Sequence, residues 1–509
     1  ARKATYALAN IDAKLTLTSN ARGVRATGTA VSDGIPVAFE ATLGGPVTDG
    51  RSPLAVRVTM RPDLARVVIR GSVAQSNKAL PDFRGRIEIE SANIATALSA
   101  AGLAAPAGAF SDIYRRPFAL SGEFALERNR VSANALTLQL GDQRATGALS
   151  AVYDRTLFID LAVAVSSLDL DRLAHQAQPQ GTARNKASGP TATVARLSGA
   201  PPTRAWSLPT GLEGSIDLSI DALGLHGGTI RNFHATATLG RGIVVVSNAA
   251  ARLPGETALS GLGQVSWADE RPTIEGSIAL QSDNLRGLLS WAGADTTKIA
   301  PGRLRRLEGK SSIEGTLDNL QFTNIDVRFD STRLNGGVAY RAGARSAFGL
   351  DLRVDQLNLD DYFETGSPGT SRSVLSDFDA NLRLQADSLI AGGLAVERVM
   401  LEGTLVDGAL DLREFKLGAL AGATLDARGR IDGLAKRADA ALDIDLKTQN
   451  AAALFRILDI PIQSDPSLAL KGRLDFHEGA NSSLLLQAVD LGNVHLTGRI
   501  GLANPLAQG

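Results

Sequence analysis

An apolar residue at every second position, over and over, is what most restricts the fold of this chain. Leu157, Ile159, Leu161, Val163 and Val165 share one side of any extended segment, as do Ile274, Ile278 and Leu280. Leu350, Leu352 and Val354 repeat the pattern, and so do Leu442, Ile444 and Leu446. Asp, Arg, Ser or Thr often stand between them. A period of two is the mark of a half-buried strand, greasy on one face and wet on the other.

The strands come in sentences. ATGALSAVYDRTLFIDLAVAVSSLDLDRLA (145–174) is rewritten as LNGGVAYRAGARSAFGLDLRVDQLNLDDYF (334–363). Looser copies run through 259–289, 425–458 and 68–98. Each reads glycine, apolar strand, turn, apolar strand, polar residue, then a short leucine-rich tail. The spacing of Leu285, Leu288 and Leu289, and of Leu454, Ile457 and Leu458, predicts about two turns of helix for the tail. Two stretches break the pattern. Residues 175–211, rich in Pro, Gly, Ala, Ser and Thr, read as a long loop, and 364–376 as a shorter linker. They mark off three strand blocks, 1–174, 212–363 and 377–509.

Composition removes several classes of function. Lys plus Arg and Asp plus Glu are 53 each, so the balance lacks the positive surplus a general nucleic-acid binder needs. Aromatic content of 5% is low for stacking bases. There is no cysteine, which excludes disulfides and thiolate-bound metal and fits an extracytoplasmic compartment. No apolar run is long enough for a transmembrane helix. The opening ARKATYAL has neither an initiator Met nor a signal-peptide core, so the expectation is a piece of a longer product with any anchor outside it.

No constellation for catalysis stands out. The five histidines are His175, His226, His234, His477 and His495. None forms an i, i+4 pair, and a turn at Gly227-Gly228 would part His226 from His234. There is no nucleophile elbow and no phosphate-binding loop. Asp443 with Asp445, and Asp169 with Asp171, are carboxylate pairs that alternation explains without chemistry. Arg303, Arg305, Arg306 and Lys310 could meet anionic headgroups or form a solvated turn. Trp267 and Trp291 could sit at a groove mouth or cap a core, and the core reading is preferred.

Such strands must hide their greasy face. One solution is an ordinary sandwich. The other is a curled sheet whose inner face stays lined with Leu, Val, Ile and Ala and holds something apolar.

The stretch FDANLRLQADSLIAGGLAVERVMLEGTLVDGALDLREFKLGALAGATLDARGRIDG (378–433) resembles the C-terminal region of the AsmA family. The pattern is D-A-N-L-x-L-x-A-D, a GGL turn, L-x-x-x-L-x-D-G-x-L-x-L and a glycine-flanked strand. The likeness is clearest over 307–460, and the related TamB family shares much of it. The resemblance implies a periplasmic carrier anchored in the inner membrane, whose sheet forms a hydrophobic groove for phospholipids. A diacyl lipid has roughly 30 methylenes, and at about 0.8 kcal/mol each exposing them costs roughly 24 kcal/mol. A carrier therefore needs an unbroken apolar path, and repeats are a direct way to encode one.

The resulting expectation is an all-β fold: an elongated repetitive antiparallel sheet curled into a hydrophobic groove, with short helices after repeat units. Its function would be lipid binding and transfer between inner and outer membranes, without enzymatic chemistry, cofactor or metal. Phospholipids and the two membranes are the expected partners, with envelope proteins as further candidates and no nucleic acid. The expected groove lining is Leu157, Ile159, Leu161, Val163, Ile278, Leu280, Leu350, Leu352, Val354, Leu442, Ile444 and Leu446. The alternatives are a scaffold for outer-membrane assembly that binds by strand addition, and a polysaccharide-binding or polysaccharide-degrading repeat protein, which the scarcity of aromatics disfavours.

Overall fold

The computed structural model describes residues 8–17, 23–32, 35–47, 50–60, 64–74, 82–93, 95, 116–171, 211–269, 271–297, 299–343, 345–362, 378–434, 437–457 and 464–502. Twenty-seven strands and two α-helices lie within them. The breaks read at 175–211 and 364–376 fall outside the described residues, apart from Gly211, as do His175 and Leu458.

The strands group into two compact units. The first opens with β1 (Leu8–Leu17), β2 (Val24–Ser32), β3 (Ile35–Leu43), β4 (Arg51–Met60), β5 (Ala65–Ala74) and β6 (Asp82–Ser91). It continues with β7 (Phe118–Glu127), β8 (Arg130–Leu140), β9 (Gln143–Tyr153), β10 (Leu157–Asp169), β11 (Leu212–Leu225), β12 (Gly228–Gly240) and β13 (Ile243–Leu253). Strand β14 (Thr257–Asp269) gives Gln264–Trp267 to this unit and its other residues to the second. The second unit holds β15 (Arg271–Ser282), α1 (Leu285–Trp291), β16 (Leu307–Thr316), β17 (Asn319–Phe329), β18 (Thr332–Arg341) and β19 (Ser346–Asn358). A 3-10 turn, Leu359–Asp361, follows β19. Then come β20 (Phe378–Ala391), β21 (Leu394–Val406), β22 (Ala409–Leu420), β23 (Ala423–Asp432) and β24 (Asp439–Thr448). The last elements are α2 (Ala451–Ile457), β25 (Leu468–His477), β26 (Ser482–Leu491) and β27 (Val494–Leu502).

The fold is all-β and mostly antiparallel, as the alternation predicts. Short turns explain the meander. His226-Gly227, Arg241-Gly242 and Asp407-Gly408 each carry two residues at positive φ, the type I′ geometry that matches the twist of a tight hairpin. The exceptions are two parallel ladders, β10 with β11 and β19 with β20. A parallel pair needs a long crossover, and both compositional breaks lie where those crossovers must run. The breaks that sequence reading treats as separators thus join strands that are neighbours in one ladder.

The two clearest sentences are also one structure written twice. They align without a gap. Gly147 pairs with Val163 as Gly336 pairs with Leu352. Leu157 meets Leu212 across the first parallel ladder as Ser346 meets Phe378 across the second. Asp171 accepts the amides of His226 and Gly227, both at 2.8 Å, and Asp360 accepts those of Gly392 and Gly393 at 2.7 and 2.8 Å. Each carboxylate pins the hairpin turn beyond its own parallel neighbour.

Glycine lets each sheet bend toward its apolar side. Gly71 and Gly85 are paired on β5 and β6, on the face that carries Ile69 and Val73. A Cβ on Gly71 would stand 2.2 Å from the Arg84 carbonyl oxygen, and one on Gly85 would stand 2.3 Å from that of Arg70. In the second unit a Cβ on Gly336 or Gly429 would lie 2.0 or 2.1 Å from the carbonyl oxygen of Asp351 or Ala441. Neighbouring backbones come closer on that face than any side chain allows, so the sheet curls there. Bulges at Ala133/Leu136 and Phe322/Ile325 add local twist. Among the described residues no ladder joins the first and last strand of either unit, so neither closes into a barrel.

Helical tails form where predicted, after β15 and β24, and the 3-10 turn follows β19. In the second unit all three leave the same edge of the sheet, because β15, β19, β20 and β24 run in one direction. A shared device starts them. Ser282 accepts the amide of Asn284 and donates to the Gly255 carbonyl, and Thr448 accepts the amide of Asn450 and donates to Gly422. The asparagines then cap the helices, accepting from Gly287 and Ala453. Ser91 and Asn93 repeat the first step in the other unit, with Leu64 as the carbonyl. Under α2 lies a small core of Ala423, Ala451, Leu454, Leu468 and Val489.

Candidate functional site

Register turns the separate alternations into continuous rows. In the second unit Leu350 is paired with Leu382, then Gly403, Leu412, Gly429 and Leu442 on successive strands. Two positions along the strand, Leu352 leads through Leu384, Leu401, Phe415 and Ala427 to Ile444. A third row runs from Leu280 through Gly309, Val327 and Leu334 to Val354, and ends Leu446, Leu470, Val489, Leu496. That third row crosses thirteen strands, β15 to β27, so at about 4.8 Å per ladder step it is roughly 58 Å long. No charged side chain interrupts any of the three rows.

The first unit has its own rows. Leu161 is paired with Leu149 and Ile216, and Val163 with Gly147 and Leu218. Leu157 and Ile159 stand on the same face nearer the start of β10. At the far end of this unit Leu15 and Leu17 are 72% and 75% exposed, so the apolar face there is open to solvent.

Burial distinguishes the two folds left open by patterning. Strands inside a sandwich would bury these side chains completely. Leu157, Ile159, Leu161, Val163, Leu280, Leu350, Leu352, Val354, Leu442 and Ile444 are instead all half-buried, and Ile278 is exposed. Their flanks are covered by row neighbours while their tips remain accessible. Leu446 differs, since it packs against the core beneath α2. The helix thus roofs a short stretch of the third row at one edge.

The opposite face is polar and neutralised strand by strand. Asp443 lies 4.0 Å from Arg428 and 3.9 Å from Arg473, and Asp445 lies 3.3 Å from Lys447 and 3.6 Å from Lys471. Arg383 bridges Asp351 and Glu402 at 3.7 and 2.9 Å. A hollow of about 510 Å³ lies on this face among Arg428, Asp443, Asp445 and Lys471. Exposed pairs of this kind each contribute little to stability. They keep one side of the sheet wet and leave the other, among the described residues of this unit, as a continuous apolar surface.

Within the basic cluster Arg303 is partly buried and closely paired, while Arg306 and Lys310 are solvated. Arg303 is paired with Asp361 at 2.6 Å, Arg306 approaches Asp283 at 3.9 Å, and Lys310 approaches Asp326 at 4.0 Å. Arg286 of α1 donates to the carbonyls of Thr296, Ile299, Ala300 and Arg303 and so knits the following loop. Asp330 accepts the amides of Leu304 and Arg305 and the Tyr362 hydroxyl. Burial alone would raise its carboxyl, but these hydrogen bonds outweigh burial and hold it below the usual value. Burial first, and then the bond to Asp330, pushes Tyr362 up to about 12.

His226 sits in the β11–β12 turn, while His234 lies 3.8 Å from Asp217. His477 is 2.8 Å from Asp439, and His495 pairs with Asp490. Among the described residues no three His, Cys, Asp or Glu side chains cluster as metal ligands. No described helix is long and apolar enough to cross a membrane. Trp267 and Trp291 are both half-buried. The Ser/Thr-x-Asn device and the turn-pinning aspartates escaped the sequence reading. Aligning SAN (91–93), SDN (282–284) and TQN (448–450) would have exposed the first.

No family model, no curated protein and no solved structure matches this chain.

Proposed function

We propose that this chain binds and transfers lipids in the bacterial cell envelope, moving phospholipids between inner and outer membranes along its apolar rows, as an AsmA-like carrier. The observation that carries this reading is the uninterrupted, half-buried row set. It offers an acyl chain an apolar track across the strands, with no charge to cross. A carrier of this kind needs no catalytic group; Asp171 holds a turn, and Asp443 and Asp445 pair with cations of the wet face. The AsmA resemblance of 378–433 supplies the setting: a periplasmic location, with an anchor outside these residues.

Native mass spectrometry with lipid extraction on the chain purified from a bacterial periplasm tests the reading. Several phospholipids retained per chain are expected. A folded, lipid-free protein would overturn it, and would favour a scaffold of envelope assembly instead.

A further inference from the structure

The two gap-free copies of the repeated sentence differ in where they place aromatic rings on the apolar face. At the second parallel ladder, Tyr340, Phe348 and Phe378 form a chain of rings. The Tyr340 and Phe348 centroids are 5.4 Å apart, and those of Phe348 and Phe378 are 5.5 Å apart at an interplanar angle of 88°. All three lie on the face of the row residues, since Tyr340 stands two residues after Val338, Phe348 two before Leu350, and Phe378 four before Leu382 with Ala380 between. At the first parallel ladder the corresponding residues are Ala151, Ile159 and Leu212. The register and the aspartate that pins the following turn agree at the two junctions; on this face the first carries a single ring, Tyr153, 55% exposed beside Leu157, where the second has Ala342 beside Ser346.

Interlocked rings differ from aliphatic side chains in two ways. They stand taller above the sheet, and they yield less, because the tilted contact of Tyr340 with Phe348 and the edge-to-face contact of Phe348 with Phe378 fix neighbouring rings. Tyr340 is only 9% exposed, and Ala380 and Leu405, level with it across the next ladders, are 4% exposed, so the site is tightly filled. A straight acyl chain can lie along such a wall. A chain carrying methyl branches needs lateral space that rigid rings do not give.

We propose that Tyr340, Phe348 and Phe378 form a selectivity step that favours straight over methyl-branched acyl chains. This rests on the lipid-carrying reading above. The first junction, with Ala151, Ile159 and Leu212, has no such step.

The test converts the second junction into the first. Full-length wild type and the triple variant Tyr340→Ala, Phe348→Ile, Phe378→Leu are each incubated with vesicles containing equal amounts of dipalmitoyl and diphytanoyl phosphatidylcholine. Bound lipid is then counted by native mass spectrometry. Wild type should retain the straight-chain lipid in excess by about tenfold, the lower bound for one misplaced methyl in a fitted apolar site. The variant should bring that ratio close to one. The reverse variant, Ala151→Tyr, Ile159→Phe, Leu212→Phe, should sharpen the preference, and it keeps the test decisive if the first variant melts early. Equal ratios in wild type and in a folded variant would refute the step while leaving lipid carriage intact. Wild type that takes up neither lipid would overturn both readings.

Discussion

Replacing Leu352 with Asp separates an open apolar face from a closed core by magnitude. Leu352 lies in the middle row between Gly336 and Leu384, half-buried, with Leu350 and Val354 as its neighbours on the same face. Full burial of a leucine contributes about 1.5–3 kcal/mol, so half of that, about 1 kcal/mol, is lost on replacement. The weaker strand preference of Asp adds up to about 1 kcal/mol. The carboxylate itself can reach water past the exposed tips of the row. A total near 1–2 kcal/mol should lower the melting temperature of a unit of this size by roughly 3–6 °C. In a sandwich the same carboxylate would be dry and unpaired, at a cost of several kcal/mol and with loss of the fold. Lipid occupancy should respond oppositely, falling at least tenfold, because each passing acyl chain would have to strip water from a charge. Circular dichroism melts and lipid counts on the same sample measure both. A variant that unfolds, or one that folds and keeps full occupancy, would refute the reasoning.

Other perturbations probe the parts that shape this face. Gly71→Ala drives a methyl to within 2.2 Å of the Arg84 carbonyl oxygen and should cost about 2–4 kcal/mol in chemical denaturation, far more than an alanine in an ordinary strand. Thr448→Val removes the hydroxyl that ties Gly422 to the start of α2 and should cost about 1–2 kcal/mol, with increased hydrogen exchange confined to α2 and its neighbours. Asp330 has a lowered carboxyl, so its contribution is complete above the unfolded value of 3.8 and disappears as pH falls through the folded one. The stability gap between wild type and Asp330→Asn should therefore close in acid, and a gap that persists unchanged would exclude the ionised carboxylate as its source. Tyr362 has the opposite sign: its raised value means stability is intact below pH 10 and declines toward about 12, and Tyr362→Phe should abolish that decline.

The strands were legible because alternation depends only on local order. Leu157 to Val165 and Leu350 to Val354 are strands in both readings, and the tails at Leu285 and Leu454 became helices. The parallel ladders were not legible. Whether β10 meets β11 head-to-head or side-by-side depends on a crossover whose composition carries no direction. The rows were equally hidden. That Leu352 stands level with Leu401, Phe415 and Ile444 follows from turn lengths and from bulges such as the shift between Glu402 and Gly403, not from any one strand. Leu446 shows the limit of alternation: it shares a face with Leu442 and Ile444 but lies where α2 docks. Within the basic cluster only the close pairing of Arg303 with Asp361 was hidden, because the two lie far apart in sequence.

The parallel ladder in the second unit has a consequence for parity. Four antiparallel steps separate β15 from β19, an even number, so the segments that follow both strands emerge on one side. Five steps separate β19 from β24. Were all five antiparallel, β24 would point the other way, and α2 would emerge on the edge opposite α1. The single parallel step absorbs the odd count. Loss or gain of a whole hairpin is therefore neutral for which edge carries the helices, whereas loss of one strand inverts every later element. Chains of this type can change length in hairpin quanta, and an odd increment survives only with a second crossover to restore the sense.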